Sequence, residues 1–86
     1  MNSSLSMSTL DRSPLRARCT VAGVEPPARA PEWRQWLEEI GFMPGEQVEL
    51  MSRGAFGGDA LVVRVGLSTF ALRRAEAACI LVVSSV

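Results

Sequence analysis

A mainly β fold, a small closed barrel with one short helix, is the class that three features of the sequence predict. Short runs of alternating apolar and polar residues recur along the chain. Glycine and proline turns separate them at close intervals. One stretch alone breaks this pattern with helical spacing. About five strands are expected, with the helix at about 31–40, inserted after the first. Closure would remove the sheet edges that so small a domain could hardly protect. The chain has 86 residues, which is one domain, and it buries only about 60% of its unfolded surface.

The elements follow in order. Residues 1–9 read as a flexible, serine-rich N-terminal tail, and 10–86 as the domain. Leu10 to Pro14 is a lead-in that Ser13-Pro14 breaks. From Arg16 to Val24 the residues alternate, with Ala17, Cys19, Val21 and Gly23 on one face, so a strand is predicted. Glu25-Pro26-Pro27 ends it. Trp33, Trp36, Leu37 and Ile40 then fall at i, i+3, i+4 and i+7, one stripe of a helix. Pro31 suits the first helical position, and Glu32 suits the positive end of the dipole. Gly41 is placed to take a left-handed conformation just past the helix, with Phe42 folding back on Leu37. So short a helix must dock, and its two tryptophans are the expected means.

Met43-Pro44-Gly45-Glu46 has the composition of a type II turn: proline presets φ and glycine supplies φ > 0. Strands are predicted over 47–53, with Val48 and Leu50 inward, and over 60–65, with Leu61, Val63 and Val65 on one face. The glycine-rich stretch from Gly54 to Asp59 joins them. Gly66-Leu67-Ser68 turns into a strand over 69–72. A helical or 3₁₀ turn over 73–78 precedes the last strand, 80–83.

Composition narrows the function. The charged residues are nine Lys+Arg against nine Asp+Glu, with no His. All nine basic residues are arginines. A histidine-based nucleophile, a histidine zinc site and a Schiff-base lysine are therefore excluded. Zero net charge argues against nucleic acid, whose affinity comes from positive charge. No apolar run approaches the ~20 residues of a membrane span, and no signal peptide is visible. A reducing compartment and free thiols are expected.

Four candidate features remain. Cys19 and Cys79 are the soft metal ligands, and they would be neighbours if the first and last strands paired. With no third or fourth ligand in view, the reading as two buried apolar cysteines is favoured. The loop after Gly54 lacks the lysine of a phosphate-binding loop. Phe56 at its tip is either tucked onto the barrel or presented to a partner. Arg53, and Arg34 on the exposed side of the helix, are the arginines placed for a partner. Gly41, Phe42, Pro44 and Gly45 read as architecture rather than as a binding motif.

These residues carry a family resemblance. Leu37-Glu38-Glu39-Ile40-Gly41-Phe42-Met43-Pro44-Gly45-Glu46-Gln47-Val48 resembles the signature of FeoA, ferrous iron transport protein A. Gly58 to Val65 is similar to its glycine–aspartate–proline strand, and Phe70 to Ala77 with Ile80-Leu81-Val82 to its closing segment. Two positions depart: Ser13-Pro14-Leu15 where the family has a glycine, and Ala60 in place of its proline. The resemblance spans about Leu10 to Val83.

It implies an SH3-like barrel in the bacterial cytoplasm and a non-enzymatic role in iron homeostasis. The implied partner is the cytoplasmic region of a FeoB-type GTPase-coupled ferrous iron transporter, which the domain would bind and modulate. The alternative is a regulatory SH3-like domain acting on another protein, such as an iron-dependent repressor. No cofactor is expected beyond adventitious or weak binding of a divalent metal. Neither nucleic acid nor direct membrane insertion is expected, and a homodimer through an exposed strand edge is left open.

Overall fold

The computed structural model describes residues 7–55 and 59–84. Six strands form one antiparallel sheet: β1 (Met7–Thr9), β2 (Arg18–Val24), β3 (Gln47–Ala55), β4 (Ala60–Val65), β5 (Ser68–Arg73) and β6 (Ile80–Ser84). A 3₁₀ turn, Leu10–Arg12, follows β1. Helix α1 (Trp33–Glu39) lies between β2 and β3, and α2 (Arg74–Ala77) between β5 and β6. The order across the sheet is β1-β6-β2-β3-β4-β5.

The sixth strand is the one that sequence periodicity does not reveal. Met7, Ser8 and Thr9 pair with Val83, Val82 and Leu81 of β6. They occupy the end of the segment expected to be a tail; residues 1–6 lie outside the described part. Three residues are too few to display an alternation, and only pairing with β6 holds them extended. Leu10, directly after, is fully buried and pins the segment to the core.

The expected closure takes a different form. The sheet order ends at β1 and β5, and no ladder joins these two among the described residues. One apolar cluster instead joins residues from both ends of that order, Leu10 after β1 and Leu72 of β5. Leu10, Leu37 from α1, Phe42 and Ala77 from α2 are each fully buried, in one cluster with the inward residues of β2, β3, β4 and β6. Alternation along β4 is the plainest sign of this inside and outside: Leu61, Val63 and Val65 are buried, while Arg64 is exposed.

Helix α1 is seven residues long and has no side-chain cap at its start. Its stability comes from its other end. The Gly41 N–H donates to the Glu38 carbonyl (3.1 Å) and the Phe42 N–H to the Leu37 carbonyl (3.0 Å). These two bonds make a Schellman cap, whose characteristic apolar contact here joins Leu37 and Phe42. Both side chains are fully buried, and Phe42 meets Phe70 of β5 with ring centroids 6.4 Å apart.

The tryptophans do not dock α1 as expected. Trp33 packs on the core only partly buried, and Trp36 is 40% exposed. At about 100° per residue, Trp36 lies roughly 60° from Trp33 and 100° from Leu37, at the margin of the apolar stripe. Leu37 and Phe42 take the centre, and the indole of Trp36 is left at the rim.

Candidate functional site

The Gly41–Gly45 motif folds as a continuous clasp. After the helix cap, the Glu46 N–H donates to the Met43 carbonyl (3.0 Å), closing the turn, with Gly45 at φ +94°. The Gly45 N–H then donates to the Val21 carbonyl (2.8 Å), and the Val21 N–H to the Glu46 carbonyl (2.8 Å). The clasp thus fastens the end of α1 to β2 and launches β3. The N–H groups of Gly41, Phe42 and Gly45 are all engaged in that task, which supports the reading of the motif as architecture.

The two cysteines do not meet. Their strands do pair, but antiparallel: Cys19 lies opposite Ser84, whereas the Cys79 carbonyl accepts from the Glu25 N–H. Cys19 and Glu25 are six positions apart on one extended segment, about 20 Å. A site using both thiolates is excluded by this register. Both thiols are free and buried. Cys19 Sγ donates to the Ala17 carbonyl (3.7 Å), and Cys79 Sγ to the Ala75 carbonyl (3.3 Å). No group of three or more potential metal ligands occurs among the described residues.

Burial, then the negative charges of Glu76 and Asp11, push the Cys79 thiol up. The unfolded chain ionises first, at the ordinary thiol value of about 8.5. The thiol's contribution to stability is whole below that value and is lost as pH rises through the higher folded value. The chain has no lysine and no tyrosine, so neither of those side chains contributes in this range. We expect the urea midpoint to hold between about pH 7 and 8 and to fall above about pH 9. In Cys79→Ala the alkaline fall should be reduced; an equal fall would show that this thiol is not its cause.

Arg53 is engaged within the fold. Its Nη2 donates to the Ser13 carbonyl at 2.6 Å. Ser13 itself is 3% exposed, so the guanidinium ties the lead-in before β2 to the far end of β3. The other four N–H donors of the group have no hydrogen-bond partner among the described residues. Arg53→Ala should cost about 1 kcal/mol, below the usual range for a charged donor because the side chain is exposed to solvent. A urea titration checks it. An unchanged midpoint would show that the contact contributes nothing.

The other candidates are dispersed. Arg34 is exposed on α1, on a different element from Arg53. Phe56 lies outside the described residues. Arg73 caps α2 through its backbone N–H, which donates to Glu76 Oε1 (2.8 Å), and Arg74 Nε pairs with Asp59 Oδ1 (3.4 Å) in an exposed ion pair.

Two surface features were not read from the sequence. One is a groove of about 580 Å³ between α1 and the β4–β5 hairpin, lined by Trp33, Trp36, Ala60, Ala71 and Leu72, with Asp59, Arg73 and Glu76 at its margin. The exposure of Trp36 opens it. The other is Leu67, fully exposed at the tip of the same hairpin. Its signal was available: a two-residue turn with Gly66 at φ +59° accepts a polar residue at no conformational cost, yet leucine stands there.

The sequence profile of the FeoA domain family matches residues 8–84. Among solved structures, FeoA of Stenotrophomonas maltophilia, crystallised with zinc and described as a prokaryotic SH3 domain protein, is similar at 36% identity. That match covers 86% of this chain and 87% of the other, with a TM-score of 0.76. A FeoA-like protein from Clostridium acetobutylicum shares the fold at 21% identity, covering 93% and 88%, with a TM-score of 0.75. A manganese-dependent transcriptional repressor contains the same fold at 22% identity and a TM-score of 0.76, over 93% of this chain but 42% of the repressor. A search of curated protein sequences gave no match.

Proposed function

The chain belongs to the FeoA domain family, and from that premise we propose that it is a non-enzymatic cytoplasmic accessory of ferrous iron uptake. Its partner in this reading is the cytoplasmic region of a FeoB-type transporter. The single observation that carries the reading is the family match over residues 8–84. The similarity to the Stenotrophomonas FeoA supports it over nearly the whole chain. No helix among the described residues is long and apolar enough to cross a membrane.

The proposed contact surface is the end of β3, where Arg53 keeps spare donors, together with Phe56 and with Arg34 on α1. Aromatics and arginines are the side chains that anchor such contacts. Modulation then requires that the domain bind one conformational state of the transporter more tightly than another.

Ferrous iron uptake in cells lacking this chain tests the reading. Uptake should fall several-fold and return on expression of the wild-type chain, but not of a chain with Arg53→Glu and Arg34→Glu together. Uptake indifferent to the chain would remove the reading. Regulation of a metal-dependent repressor would become the alternative, and altered transcription without altered transport would be its sign.

A further inference from the structure

Leu67 and the groove beside α1 are complementary features of a single chain. Leu67 is 104% exposed at the β4–β5 hairpin tip, as open as a side chain can be. Arg18 and Arg64 stand beside it, lining the same pocket. The register explains their proximity. Arg18 lies opposite Glu49, and Glu49 opposite Arg64, so the three form one row across β2, β3 and β4. Two arginines against one glutamate leave the surroundings of Leu67 with a net positive charge.

The groove has the opposite character. Its floor is apolar, from Ala60, Ala71 and Leu72, and Trp33 and Trp36 form one wall. On the strand side its charges balance: Arg73 and Arg74 against Asp59 and Glu76. On the helix side they do not. Glu32 is four residues before Trp36 and Glu39 three after, so both fall next to its indole on one face of α1. Both are exposed. An apolar slot with an acidic border is the counterpart of an apolar knob with a basic border.

The hairpin sets their separation. Leu67 follows the Val65–Ser68 end of the β4–β5 ladder, and the groove lies at the Ala60–Arg73 end. Five residue steps of strand, about 17 Å, lie between them. A rigid hairpin cannot fold its own tip into its own base. Knob and groove can therefore meet only between molecules.

We propose that this chain self-associates, with Leu67 of one copy entering the Trp33–Trp36 groove of a second, and Arg18 and Arg64 facing Glu32 and Glu39. The contact joins two different patches and is heterologous. Its charged border makes it weaken as salt rises.

Sedimentation equilibrium on the full chain tests this. The wild type should show a mass above 9.3 kDa that rises with protein concentration and falls with added salt. Leu67→Ser and Trp36→Ala should each weaken association at least tenfold while keeping the wild-type circular dichroism, since both side chains lie at the surface. Mixed in equal amounts, the two variants should associate with each other, because the intact knob of one meets the intact groove of the other. Should Trp36→Ala fail to fold, Glu39→Arg mixed with Arg64→Glu carries the same complementation. A wild type that stays monomeric at millimolar concentration overturns the proposal. So do single variants that associate like the wild type, and mixtures that associate no better than their components.

Discussion

Phe42→Ala should unfold much of the protein at moderate temperature. Phe42 is fully buried, caps α1 against Leu37 and meets Phe70. Truncating such a ring in a core typically costs about 3–5 kcal/mol. At about 0.05–0.15 kcal/mol per residue, the whole stability of a chain this size is of similar order. With about 4–8 °C lost per kcal/mol in a domain this small, the Tm should fall by more than about 12 °C. Phe42→Leu retains most of the apolar volume and should cost about half as much. Trp36→Ala, despite the larger side chain, should cost about 1 kcal/mol or less because the indole sits at the rim. Calorimetric scans of the three variants give the ranking. Equal losses in Trp36→Ala and Phe42→Ala would mean that α1 docks through its tryptophan after all.

Gly41→Val should be the other large effect. Gly41 has φ +128°, and a Cβ built there would lie 3.4 Å from Val65 Cγ1. That φ is far from the left-handed well near +57°, so asparagine, which tolerates that well, should not rescue the position. Gly41→Ala isolates the backbone strain and should cost about 1–3 kcal/mol. Gly41→Val adds branched atoms against a buried valine and should cost about 1–3 kcal/mol more. Gly45, at φ +94° with nothing within 4 Å of a built Cβ, should lose only the strain on substitution by alanine. Denaturant titration measures all three. A Gly41→Val protein as stable as the wild type would show that the cap relaxes without cost, and the architectural reading of the motif would fail.

The elements legible in the sequence are those whose own residues carry the cause. The strand from Ala60 to Val65 alternates because its two faces differ in solvent. The Gly41-Phe42 cap and the Pro44-Gly45 turn are written in residue types that only those conformations require. What the sequence concealed depends on distant partners. Met7–Thr9 becomes a strand because β6 offers an unpaired edge, which three residues cannot announce. Trp36 looked like core because helical spacing places it on the stripe, but the position of Leu37 opposite the sheet decides which part of the stripe is covered. The cysteines looked like neighbours because their strands pair. Only the register shows that antiparallel pairing sets them at opposite ends. Arg53 was legible as a charge for a partner, and its bond to the Ser13 carbonyl was not, because forty residues separate the two.

Calorimetry of the purified chain against the soluble cytoplasmic region of the cognate FeoB-type transporter tests the central claim most directly. It should be run with GDP, with a GTP analogue and without nucleotide. Saturable binding that differs at least several-fold between nucleotide states is the predicted result, because only a difference in affinity lets an adapter modulate a transporter. No binding in any state, by a chain shown to be folded, would contradict it.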